Sequence, residues 1–282
     1  MSVVPVTRLS LREAVSRRLV VVGVVLSLAY LGLFGFAFNA LYTRVLADAA
    51  DRTATALAAG VMTVLGLYVV RFLAALLAIF LSSGAVASDI DSGVLHAVLA
   101  RPLSRGSWLV QRWLAFVLLS VGYVAAMTLV ITTVARGVAG YTPIGVGPAL
   151  AVMALELVVL LSLGLAASTT WSAVTSGVVT FSLFGVAWLA GIIELIGTQL
   201  DNPAMRSAGI AVSLLVPSDA LWRGASYFLQ SPSMIALGPQ GFGDGNPFAG
   251  SAPPTTALIV WSAGYALVLL AVAAWRLRRR DL

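Results

Sequence analysis

The only place where the sequence sets an acid, a hydroxyl and an imidazole side by side is Asp89, Ser92 and His96. Spaced this way on a helix, they would share one polar face on adjacent turns. A serine held by a base, itself held by an acid, can attack an acyl group. Residues strung along one helix face form no pocket, however, and no Gly-x-Ser-x-Gly elbow presents a serine here. His96 therefore reads as a surface histidine, and no catalytic residue is assigned. It is also the single histidine, so a paired-histidine zinc site is excluded, and without cysteine there is no thiol nucleophile, thiolate metal site or disulfide. Met62, Met127 and Met153 are scattered and read as packing, so no metal ligand is assigned. All 17 basic residues are arginine. A phosphate-binding P-loop needs a lysine, so this chain holds no nucleotide in one, and no cofactor is expected in it.

Three further charges are conspicuous for where they fall. Arg71, Glu156 and Glu194 lie inside long apolar runs, where an ionised group costs about 3 kcal/mol or more at bilayer centre. Arg71 and Glu156 fall at similar depth, so they read as a staple between two helices or as part of a translocation path. Glu194 lies near the end of its run, within reach of interfacial water.

The elements that must position these groups follow from composition. The 282 residues are 60% hydrophobic and 10% charged, too few charges to cover a water-facing surface and too apolar for disorder. Apolar runs at about 19–41, 57–81, 108–134, 144–167, 173–197 and 255–275 each suffice to cross a bilayer. The expected fold is therefore all-α, a single polytopic domain over 1–282 with six membrane-spanning helices. An even number of spans puts both termini on one side. Arg8, Arg12, Arg17 and Arg18 in one tail, and Arg276, Arg278, Arg279 and Arg280 in the other, predict that this side is cytoplasmic. The net charge of +6 then serves topology, and no nucleic-acid partner is expected.

Two connections are long enough to carry function. The outer one, 198–254, opens on Asn202-Pro203, an N-cap with proline at the first helical position. Ser218 is expected to cap a second short helix, with Leu221, Ala225, Phe228 and Leu229 on one apolar face and Trp222 and Tyr227 at the membrane–water interface. The pair reads as a cap over the bundle or as an external gate. Residues 238–254 hold five glycines and four prolines and are expected to be irregular.

The cytoplasmic connection, 83–105, contains a short amphipathic helix. Ile90, Val94, Leu95, Val98 and Leu99 share its apolar face, and Arg101-Pro102 stops it. Asp89, Asp91, Ser92, Gly93, Leu95, Leu99, Pro102, Ser104 and Arg105 spell a pattern of two spaced acids, Ser-Gly, two leucines, then Pro-x-Ser-Arg. Between spans two and three of six, this pattern resembles the ABC-2 type permeases, the membrane subunits of ATP-binding-cassette exporters. Val94 departs from it, since the family often has threonine there, and so does His96, where another polar residue is common. Pro217-Ser218-Asp219-Ala220-Leu221-Trp222 is also similar to bacterial members. The resemblance implies that the segment, His96 included, is a coupling helix lying on a separate ATPase subunit that binds ATP and magnesium. It implies a second permease copy, most simply a homodimer, surrounded by lipid in a bacterial-type cytoplasmic (inner) membrane. Export is the implied activity; drugs, antibiotics, lipids, glycans and maturation factors all fit as cargo. The other readings are a membrane-embedded lipid-modifying enzyme and a structural anchor for a soluble complex.

Overall fold

The computed structural model describes residues 18–46, 52–87, 104–236 and 246–279. Among these are nine α-helices and no strand. Six are long and apolar enough to cross a membrane: α1 (Arg18–Leu41), α2 (Arg52–Ser83), α3 (Arg105–Ala139), α4 (Val146–Ser168), α5 (Ala173–Gln199) and α9 (Thr256–Arg279). They coincide with the six apolar runs. A π-helical turn, Tyr42–Leu46, continues α1. Between α5 and α9 lie α6 (Pro203–Leu215), α7 (Ser218–Leu229) and the single turn α8 (Pro232–Ala236).

Local chemistry sets the ends of these helices. The Ser104 hydroxyl accepts from the Ser107 amide at the start of α3, and Ser172 does the same for Thr175 at the start of α5. Gly140 ends α3 in the left-handed region, φ 64°, where its N–H reaches the Ala135 and Arg136 carbonyls and where a β-carbon would be strained. The Asn202 side chain accepts from the amides of Ala204 and Met205, with Pro203 following as expected. Ser218, in contrast, is not a cap. Pro217 occupies that position, and the Ser218 hydroxyl has no hydrogen-bond partner.

Packing is centred on α4, which touches α2, α3, α5, α7 and α9. At one end of the bundle Gly164 of α4 lies so close to α2 that a β-carbon would collide with Ser82. Trp113 of α3 donates to the Ser162 hydroxyl at 3.1 Å. Among the described residues helix α1 rests mainly on α2 and α3, through Tyr30 donating to the Gly66 carbonyl at 2.7 Å and a Ser27–Tyr123 hydroxyl contact at 2.6 Å.

The two ends of the bundle differ in charge. Arg105, Arg276, Arg278 and Arg279 gather at the end where α2 and α4 finish and α3 and α5 begin. There Arg105 donates to the Leu277 carbonyl at 3.2 Å, Arg276 to the Thr170 hydroxyl, and Arg279 covers the Trp275 ring at 4.3 Å. The opposite end carries α6, α7 and residues 246–255.

Candidate functional site

Helices α6 and α7 do not simply lie across the helix ends remote from Arg105. They form a helical hairpin inserted into the bundle. Helix α6 runs back along α5, so close that a β-carbon on Gly209 would come within 2.8 Å of the Ala190 carbonyl and the Glu194 amide. The chain turns at Val216-Pro217, and α7 returns between α4 and α5. Its base is buried: Val216, Ser218 and Asp219 are each at most 3% exposed. The expected apolar face is present, since Leu221, Ala225 and Leu229 are fully buried. Trp222 is not an interfacial side chain. It too is fully buried, and its indole N–H donates to the Phe248 carbonyl at 2.8 Å.

The tip of this hairpin meets the charges within the spans. Arg71 and Glu156 stand twelve residues before the ends of α2 and α4, Ser83 and Ser168. At about 1.5 Å per residue that is roughly 18 Å in, near the middle of a hydrocarbon layer about 30 Å thick. The Arg71 Nε donates to Glu156 Oε1 at 2.8 Å, and its Nη2 to the Ser218 carbonyl at 3.2 Å. Asp219 Oδ1 lies 3.7 Å from Arg71 Nη1. Tyr68, Phe184 and Trp222 surround the guanidinium with ring centroids 5.4–5.6 Å from its carbon. A buried cation is tolerated where a counter-ion, an acceptor and aromatic faces replace its water, and Arg71 has all three.

The chain of charges continues along α7, away from the arginine-rich end. Arg223, one turn after Asp219, approaches Asp219 Oδ2 at 3.3 Å and pairs with Glu194 of α5 at 2.5 Å. Gly191 makes room for the Asp219 carboxylate, since a β-carbon there would collide with it. Burial pushes the Asp219 carboxyl above the ordinary aspartate range, while the Arg71 and Arg223 guanidiniums pull it back. Glu194 and Arg223 are about one-fifth exposed and line a polar cavity of about 300 Å³ with Thr198, Asn246 and Thr255. The far end of α7 is fixed by Tyr141, which donates to the Leu229 carbonyl at 2.6 Å, and burial raises that phenol as well.

Sequence reasoning thus identified three of five members of this network. It gave Asp219 and Arg223 no ionic partner, although their i, i+4 spacing in a helix with an apolar face was visible. Their partners, on α2, α4 and α5, are distant in sequence.

The connection between α2 and α3 falls largely outside the described residues, which omit Asp89, Asp91, Ser92, Gly93, Leu95, His96, Leu99 and Pro102. Both its ends are described. On leaving α2, the amides of Val86 and Ala87 donate to the Ser168 hydroxyl at 3.0 and 3.1 Å, which docks the segment on the end of α4. At its return Ser104 caps α3 and Arg105 grips the last turn of α9. Among the described residues no group of His, Cys, Asp or Glu is arranged to hold a metal ion.

A family model described as ABC-2 family transporter protein matches residues 6–282. No curated protein sequence matches the chain.

Proposed function

The chain belongs to the ABC-2 transporter family, the multi-pass membrane permeases of ABC transporters, and from that premise we propose that it is an exporter subunit powered by a separate ATPase. One observation supports the coupling: the residues on either side of 88–103 are held, Val86 and Ala87 by Ser168 of α4 and Arg105 by Leu277 of α9. A rigid-body push on that segment therefore reaches the central helix and the last helix together. Asp89, Asp91, Ser92, Gly93, Leu95, His96, Leu99, Pro102, Ser104 and Arg105 are the proposed ATPase-facing residues, with the two aspartates offered to cationic groups. ATP and magnesium belong to that partner.

In this reading the arginine-rich end is cytoplasmic, both termini lie there, and the membrane is the cytoplasmic (inner) one. The hairpin of α6 and α7 then faces outward, plugged by its salt bridges between α2, α4 and α5. A second permease copy completes the path, and ATP-driven movement of α4 loosens the hairpin seat so that cargo leaves. Arg71, Glu156 and Glu194 act as the lock of that seat.

Co-purification with a P-loop ATPase, followed by ATP hydrolysis in proteoliposomes, tests the assignment. The permease with Asp89→Arg and Asp91→Arg should insert normally yet fail to retain or stimulate the ATPase. Hydrolysis by the permease alone, in a preparation free of other ATPases, would overturn the separate-subunit reading.

A further inference from the structure

The network at the hairpin tip does not balance. It contains two guanidiniums, Arg71 and Arg223, and three carboxyls, Glu156, Asp219 and Glu194. Fully ionised, it would leave one negative charge in the interior of the bundle, which is costly without a counter-ion.

The geometry indicates which carboxyl is in excess. Each arginine makes its shortest ionic contact elsewhere: Arg71 with Glu156 at 2.8 Å, and Arg223 with Glu194 at 2.5 Å. Asp219 receives only the looser approaches, 3.7 and 3.3 Å. It is 2% exposed, and its Oδ1 has no hydrogen-bond partner. Among the described residues α7 packs on α2, α4, α5, α6 and α9. Helix α2 brings Arg71 and Tyr68 near Asp219, α4 brings Glu156, α5 brings Gly191 and Glu194, and α7 itself carries Arg223, whereas Arg206 of α6 is exposed and the arginines of α9 stand in its last turn. None supplies another positive charge to Asp219, and no metal-holding group is present there.

We propose that the network binds one proton, carried by Asp219, and that this proton seats the hairpin of α6 and α7 in the bundle. With the proton bound, the buried charges sum to zero and Asp219 becomes a neutral acid packed on Gly191. The polar cavity beside Glu194 and Arg223 gives water a route to exchange it. Removing the proton leaves Asp219 anionic between Glu156 and Glu194, and the repulsion is relieved when α7 withdraws toward water. By linkage the state that binds the proton is favoured on the low-pH side of this titration, so the seat is firm near neutral pH, where Glu156 and Glu194 stay ion-paired, and loosens as pH rises through the pKa of seated Asp219. This goes beyond the transport reading and does not depend on the cargo.

Infrared spectroscopy of the full chain in lipid nanodiscs reads the proton directly. At neutral pH a carboxylic-acid C=O band should be present, move on ¹³C-carboxyl labelling of aspartate, stay in place on glutamate labelling, and vanish in Asp219→Asn. No band at neutral pH, or a band that follows the glutamate label, overturns the proposal. The seat is read separately with single cysteines, because the chain has none of its own. Ser213, 8% exposed near the hairpin tip, becomes Ser213→Cys, and its labelling is normalised to that of the exposed Ala208→Cys. Labelling at Ser213 should rise severalfold from pH 6 to pH 9 and should stay flat when Asp219→Asn is added. An equal rise in the Asp219→Asn background would also overturn it.

Discussion

Helices α1 and α4 have nearly the same length and nearly equal mean hydropathy, yet 11% of the apolar stretch of α1 is buried against 67% of α4. In water such a difference could not persist, because α1 would be driven inward. In a bilayer lipid is as apolar as leucine, so hydrophobicity alone moves neither helix. What distinguishes them is what their polar and small residues can reach. Helix α4 carries Glu156 for Arg71, Gly164 for close approach to Ser82, Ser162 for Trp113 and Ser168 for the segment leaving α2. Helix α1 offers Ser27 and Tyr30, and beyond them Leu33 and Phe36 stand 66% and 72% exposed. An apolar cavity of about 190 Å³ lies between α1, α2 and α3. The lesson is that burial within this membrane bundle follows specific polar contacts and glycine-permitted approach.

That contrast can be broken most severely at its strongest contact. Glu156→Ala should destabilise the protein by about 3 kcal/mol, because buried Arg71 would lose its shortest ionic contact and keep only the looser approach of Asp219. Arg71→Ala should do the same, and thermal unfolding in mild detergent should show the double variant losing less than the sum. Strict additivity would mean the two groups are energetically independent and that α4 owes its place to something else.

Next in size is Gly209→Leu, which forces a side chain against the α5 backbone where even a β-carbon is tight. Overpacking of this kind costs about 1–3 kcal/mol. Lower thermal stability together with raised labelling of Ser213→Cys is expected. Unchanged labelling would show that α6 does not need its contact with α5.

Ser168→Ala removes the acceptor of two buried amides and should cost about 1–2 kcal/mol. It should also weaken ATPase stimulation in the assembled transporter, whereas an intact response would detach α4 from coupling.

The smallest effect is expected on the exposed side of α1, where Leu33→Ala should change stability by about 0.5 kcal/mol or less. A larger, concentration-dependent loss, followed by light scattering of the detergent complex, would show that a second copy covers this face.

Much of this molecule is legible from composition. Six apolar runs of bilayer length in a chain with few charges leave only a helical membrane bundle, since every backbone polar group must be satisfied within its own segment. Asn202-Pro203, Ser104 and Ser172 set helix starts by short-range hydrogen bonds, and the Asn202-Pro203 start is legible from residue types alone. The family assignment was legible in the short pattern from Asp89 to Arg105, and the match over residues 6–282 agrees with it. Tertiary structure alone decided where the outer helices go. By sequence Trp222 reads as interfacial and Ser218 as a cap, and Asp219 is given no partner. Each is buried because the hairpin inserts between α4 and α5. That insertion depends on Gly191 and Gly209 being glycine opposite residues far away in sequence, and on Arg71 and Glu156 meeting at one depth across two helices. Periodicity reports which side of a helix is apolar. It cannot report which distant backbone, charge or aromatic ring that side will meet, because those partners are set by the packing of the whole bundle.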